Sequence, residues 1–253
     1  MDAIVLGPGE GEVIVDTPER SIVLKAALEQ LTLSEFRYGP GQRGPVPHIH
    51  HRHTDGFYVL EGELQVLLGH EWHRLVAGPE TLVLIPPGVL HTFANDSEAD
   101  ARFLNLHAPD AGFGDALHGD RSDFDNEDWP SDPGRPAGDA LVSGPRDEER
   151  FERGDRTITI KGDGPDVSGI DIEIDASFTV EPHRHSDHTD AFWVLDGEIE
   201  FTVGDQVVRE GPGAFVAAPP GARHGFRGAV SDGARVLNLH APDAGFAASV
   251  RNQ

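Results

Sequence analysis

The chain has 253 residues, 38% of them apolar and 25% charged, with 30 glycines and 19 prolines, which allows one large or two medium globular domains rich in turns. Its 20 Lys and Arg against 44 Asp and Glu give a formal charge of -24, which repels phosphate backbones and anionic lipid and excludes nucleic acid and membrane as partners. The chain has no cysteine, so disulfides, thiolate metal sites and cysteine nucleophiles are excluded and any metal must be held by His and carboxylates.

The first residues carry a short apolar run at 3–6 without a basic flank, and no stretch reaches the roughly 18 apolar residues of a membrane span. A cytoplasmic location is expected. Residues 19–34, ERSIVLKAALEQLTLS, fit either a helix or an extended run and have no close counterpart later in the chain. From Pro47 the sequence reads PHIHHRHTDGFYVLEGE, then ELQVLLG, in which Leu64, Val66 and Leu68 alternate as in a half-buried strand. TLVLIPPG is a short apolar run stopped by prolines, followed by His91 and Phe93, and LNLHAPDAGF closes the half.

The same series then recurs. LNLHAPDAGF at 104–113 returns letter for letter at 237–246; PHRHSDHTDAFWVLDGE from Pro182 answers the block from Pro47, and Ile199, Phe201 and Val203 answer Leu64, Val66 and Leu68. The chain is therefore one domain written twice, expected over 1–118 and 139–253, with 119–138 as an acidic, Pro- and Gly-rich linker. The first copy has two extra residues between Gly69 and Gly78, a segment matching 204–211, and these predict a longer hairpin there. Many short strands broken by Gly and Pro indicate an all-β sandwich or barrel in each half.

Histidine placement carries the chemistry. His48 and His50 are two apart on a predicted strand and so share a face. Asp55 follows, and His91 comes from a second strand; His183, His185, Asp190 and His224 repeat the set. Three imidazoles and a carboxylate converging inside each barrel form a site for a divalent transition metal, Fe, Mn, Ni, Co, Cu or Zn, up to one per barrel. His53 and His188 precede the aspartates by two and can share the inward face, with a rim position as the alternative. Phe57, Phe93, Phe192 and Phe226 lie two beyond the aspartates or the later histidines, so they serve either core packing or an apolar substrate pocket. Asn105 with His107, and Asn238 with His240, read as polar pairs fixing a strand end, or as pocket wall.

The block from His48 to Gly62 resembles the first motif of the cupin family, His-x-His, three or four residues, an acid, six residues and Gly. Pro86, Gly88, His91 and Asn95 resemble its second motif, as do Pro219, Gly221 and His224. Both motifs twice make the chain similar to a bicupin, which implies two tandem jelly-roll-like cupin β-barrels from internal duplication. Asp55 and Asp190 stand where that family usually has Glu, a loss of roughly 1.5 Å of reach, so direct ligation to a metal closer to that strand, ligation through water, and a three-histidine site in which the aspartate only orients a ligand histidine are all open. Gln42 and Ser177 replace the leading glycine of the first motif, Glu80 that of the second in copy one, and Gly228 stands for Asn95 in copy two.

FYVLEGE and FWVLDGE further resemble the quercetinase-type cupin dioxygenases, implying oxidative cleavage of an aromatic or enolic small molecule. Two alternatives stand beside it. One is another metal-dependent cupin enzyme, a decarboxylase or sugar isomerase; a small dianionic acid would need a cationic wall, for which Arg37, Arg52, Arg184 and Arg223 are candidates. The other is a non-catalytic bicupin that binds a small ligand or metal. Paired barrels with apolar strand faces also allow a homodimer.

Overall fold

A computed structural model of the chain describes residues 2–132, 134–145, 149–229 and 233–252. The described residues form two compact units, one drawn from Glu12–Arg146 and the other from Met1–Gly11 together with Asp147–Gln253. Each is built of short antiparallel strands whose inward residues alternate with outward ones, as a two-sheet β fold requires.

In the first unit a 7-stranded sheet runs, in spatial order, Leu141–Ser143, Leu82–Ile85, Thr54–Glu61, Ala101–Ala108, Leu31–Tyr38, Arg20–Leu28 and Glu12–Asp16. A 5-stranded sheet faces it, with Glu127–Asp128, His48–Ile49, His91–Ala94, Leu64–Leu68 and His73–Ala77. The second unit repeats the large sheet with Ile4–Leu6, Phe215–Ala218, Thr189–Gly197, Ala234–Ala241, Ser168–Ile174, Arg156–Asp163 and Arg150–Glu152. Its smaller sheet has Thr179–His183, His224–Gly228, Ile199–Val203 and Gln206–Glu210. The fold is thus all-β, two tandem jelly-roll-like barrels.

Residues 19–34 are extended. Arg20–Leu28 and Leu31–Tyr38 form a hairpin, and Arg156–Asp163 with Ser168–Ile174 is its counterpart, pairing Arg156 with Ile174 where the first unit pairs Arg20 with Tyr38. Sequence hid the match because the pattern is kept while the residues change. The extra residues of copy one do lengthen a hairpin: strands Leu64–Leu68 and His73–Ala77 are joined across 69–72, whereas Ile199–Val203 and Gln206–Glu210 turn at Gly204 and Asp205.

The units divide the chain differently from the expected boundaries, because a strand from each repeat completes the other unit's sheet. Ile4–Leu6 pairs with Phe215–Ala218, and Leu141–Ser143 pairs with Leu82–Ile85, in each case covering what would otherwise be an open sheet edge. The expected linker 119–138 is also structured. Glu127–Asp128 adds a strand to His48–Ile49, since backbone donors and acceptors on that edge otherwise lack partners.

The barrel interiors differ in filling. In the first unit Phe36, Tyr38, Phe57, Phe93 and Phe103 form a ring cluster, with Tyr38 stacked on Phe93 at 5.8 Å and Phe57 to Phe93 at 4.8 Å. Phe103 pairs in register with Phe36; the corresponding pair in the second unit is Val236 with Ile172. Smaller aliphatic residues there leave space.

Candidate metal centres

His48 ends the approach to one barrel on strand His48–Ile49, and His183 closes Thr179–His183; the second histidine of each pair lies just past its strand, yet ring centroids stay 4.8 and 4.6 Å apart. His91 and His224 open the strands that follow the Pro-Pro-Gly turns and pair directly with His48 and His183. Asp55 and Asp190 come from the large sheet opposite. One ligand atom from each of His48, His50, Asp55 and His91 lies within 4.8 Å of all the others, and the same is true of His183, His185, Asp190 and His224. Both clusters are able to hold a metal ion.

Hydrogen bonds fix which nitrogen faces the centre. His48 Nδ1 donates to the Val46 carbonyl (2.8 Å), His50 Nδ1 to that of Asp125 (2.6 Å) and His91 Nδ1 to that of Val89 (2.9 Å). A carbonyl only accepts, so each Nδ1 carries the proton and each Nε2 lone pair is left for the centre. His183 and His224 repeat this with the carbonyls of Glu181 (2.9 Å) and Ala222 (3.1 Å). Among the described residues His50 Nε2 is buried without a hydrogen-bond partner, an arrangement that costs stability unless a cation takes the lone pair.

The shorter aspartates reach. Asp55 Oδ2 lies 3.2 Å from His91 Nε2 and 3.9 Å from His50 Nε2; Asp190 Oδ2 lies 3.1 Å from His224 Nε2 and 3.7 Å from His185 Nε2. The second oxygen of each is held by an asparagine amide, Asn105 at 2.6 Å and Asn238 at 2.5 Å, with His107 Nε2 at 3.6 Å and His240 Nε2 at 3.3 Å. The polar pairs therefore orient the carboxylates. Burial works to raise both carboxyls, but the surrounding histidines, His107 or His240 foremost, outweigh it and hold both well below the ordinary carboxylate range. Burial, with His91 and His50 beside it, pushes His48 well below the ordinary imidazole range. Burial also works against a charged His224, but the hydrogen bond and charge of Asp190 prevail and raise it. Both carboxylates are thus held ionised, and a divalent cation would displace the proton that His224 shares with Asp190.

Residues 34–107 and 171–240 both match the cupin domain family. The chain belongs to the cupin family. Its fold resembles a glyoxylate-induced protein of Pseudomonas aeruginosa (TM-score 0.68, 14% identity, 94% of this chain and 88% of that one). It also resembles oxalate decarboxylase of Lactobacillus farciminis (0.66, 12%, 95% and 86%) and the 7S globulin of Momordica charantia (0.63, 13%, 95% and 84%). At these identities the likeness is one of fold. No curated protein matches the chain in sequence.

The two cupin units present their clusters differently. In the second, a cavity of about 570 Å³ opens onto His183, His185 and Asp190. Phe192, Phe226 and His188 line it, as do Phe178, Phe246 and Val250, which sequence reasoning did not single out. His240 Nδ1 is buried there without a partner among the described residues. In the first cupin unit Phe57 and Phe93 are core rings and His53 is wholly buried. His53 Nδ1 donates to the Asp125 carboxylate (3.0 Å), so its Nε2 accepts from His107 Nδ1 (2.8 Å), while Phe113 stacks on His107 at 3.6 Å. Burial, reinforced by His50, lowers His53 to about 4. The side chain of His50 is 2% exposed against 28% for His185. Asp125 and Phe124 were missed because an acidic Pro/Gly-rich run ordinarily signals solvated chain. The only advance signal was the pair of histidines at 51 and 53 that it would meet.

Proposed function

We propose that this bicupin is a metal-dependent dioxygenase of the quercetinase-like type, acting on an aromatic or enolic small molecule in the second unit. The observation that carries this reading is the cavity of about 570 Å³, which joins His183, His185 and Asp190 to walls of Phe178, Phe192 and Phe226. Its volume lies in the range of small-molecule sites, and apolar side chains line it together with polar groups that include the cluster residues. A redox-active divalent metal held by His183, His185, Asp190 and His224 would supply positions for substrate chelation and for dioxygen. Flat aromatic bodies suit the phenylalanine walls, and His188 and His240 offer ring nitrogens to substrate oxygens. Asp190, held by Asn238, stays ionised.

Decarboxylation of a small dianion is served less well. Arg37, Arg52, Arg184 and Arg223 do not appear among the cavity's lining residues, where Arg156 is the one arginine described; it lies 3.0 Å from Asp155 and over the Phe178 ring. The test is oxygen uptake by protein loaded with Fe, Mn, Ni or Co, against flavonols, catechols and β-diketones. Uptake is expected, and is lost in His224→Ala and in Ile172→Phe, which places a larger side chain in the cavity wall. No uptake with any pairing would overturn the reading.

A further inference from the structure

The decapeptide LNLHAPDAGF meets two different surroundings. Gly112 has φ +87, and a methyl group on it would lie 2.7 Å from the Asp123 carbonyl oxygen and 2.8 Å from the Phe124 nitrogen; on Gly245, φ +76, a methyl would meet nothing within 4 Å. Gly69 and Gly88 are likewise covered, by Ala137 and Arg135, while their counterparts Gly204 and Gly221 are bare. One segment, 120–139, accounts for every contact. Its Asp125 carboxylate accepts the backbone N–H groups of His51 (2.9 Å) and Arg52 (2.6 Å), its Asp125 carbonyl accepts His50 Nδ1, and its Asp125 N–H donates to Ala111 (3.0 Å). Trp129 N–H donates to the Pro47 carbonyl (2.8 Å) and Arg135 N–H to that of Gly88 (2.7 Å). Phe124 covers the rings of His50, His53 and His107.

We propose that segment 120–139 is a strap that seals the first cluster, making it a closed structural metal centre that neither exchanges its ion readily nor admits substrate, while the second exchanges freely. The proposal rests on the reading of both clusters as metal sites. An ion in the first can leave only when the strap opens, which requires breaking the Asp125 hydrogen bonds and the short ladder to His48–Ile49 together. Among the described residues no such segment lies over His188: its Nδ1 meets Asp187, whose side chain is 78% exposed.

The experiment loads the full chain with Co(II) and follows its transfer to an excess of chromogenic chelator. Two phases of similar amplitude are expected, the slower by at least about tenfold; His224→Ala removes the fast one and His91→Ala the slow one. Asp125→Ala and Gly112→Ala each speed the slow phase by about tenfold or more and leave the fast phase unchanged, while Gly245→Ala leaves the slow phase as it was. Hydrogen exchange on the unmodified protein gives a readout free of folding defects: the His51 and Arg52 amides are expected to be protected, and further protected by Co(II). A single phase for both ions, or a slow phase untouched by both strap variants, or unprotected His51 and Arg52 amides, overturns the strap. Failure to take up Co(II) at all is a separate result, and overturns the metal reading beneath it.

Discussion

Asn238 shows how much of each centre depends on groups that never face the ion. Its amide fixes Asp190 Oδ1 and leaves Oδ2 toward the histidines, so Asn238→Ala is expected to weaken metal binding by about 10- to 100-fold, measured by chelator competition. Titration of the first cluster gives a second expectation. His53, lowered to about 4, and His48, lowered chiefly by burial, are pushed toward the neutral form in the folded metal-free protein. Above about 6.5 they are neutral in the unfolded chain too; below it the unfolded chain binds protons that the fold refuses. Stability is therefore full above that pH and falls as pH drops through the folded values, His53 alone contributing a loss of up to about 3 kcal/mol by pH 4. Urea midpoints of the metal-free protein between pH 7 and pH 4 check this; a flat profile would contradict it. The eight cluster residues were legible because His-x-His spacing and repetition are local facts of sequence. What Asn105, His107 and their counterparts do was not, because it depends on which oxygen of a distant aspartate they meet.

At the scale of elements, the glycine closing the first motif has a physical reason. Gly62 and Gly197 have φ +71 and +72, and a methyl on either would lie 2.2 or 2.3 Å from the carbonyl oxygen of Asp100 or Gly233. Gly62→Ala is expected to cost about 3 kcal/mol or more, combining left-handed strain with a backbone clash, read as a shift of the urea midpoint; a neutral result would contradict the packing described. Strand alternation predicted the buried faces of Leu64–Leu68 and Ile199–Val203, whose burial alternates at Leu64, Val66 and Leu68 and at Ile199 and Phe201. The hairpin over 20–38 was ambiguous because polar Lys25, Thr32 and Ser34 are buried between the apolar Leu24, Ala26, Leu28, Leu31 and Leu33, so the apolar and polar residues do not sort onto two faces. Segment 120–139 was illegible for a different reason. Its stability comes from backbone hydrogen bonds and from Asp125 reaching His51 and Arg52 some seventy residues earlier, contacts that leave no periodic pattern.

For the molecule as a whole, duplication set the architecture and divergence made the two barrel interiors unlike. Copying preserved both clusters, while Phe36 and Phe103 stand against Ile172 and Val236, and among the described residues a segment like that around Phe124 and Asp125 packs on the first barrel alone. No described helix is long and apolar enough to cross a membrane. The charge of -24 favours uptake of cations over anions by general electrostatics, in keeping with two clusters able to hold a metal ion. Reciprocal pairing of Ile4–Leu6 and Leu141–Ser143 was invisible in sequence because both are three-residue strands, too short to carry a pattern.

The central claim is that six imidazoles and two carboxylates gather into two cation-binding sets. Elemental analysis of untagged protein, unmodified and as His91→Ala, His224→Ala and the double variant, tests it most directly. The account predicts about two divalent transition-metal ions per chain, about one in each single variant and none in the double. A chain that carries no metal, or that keeps its full complement when both histidines are replaced, would contradict it.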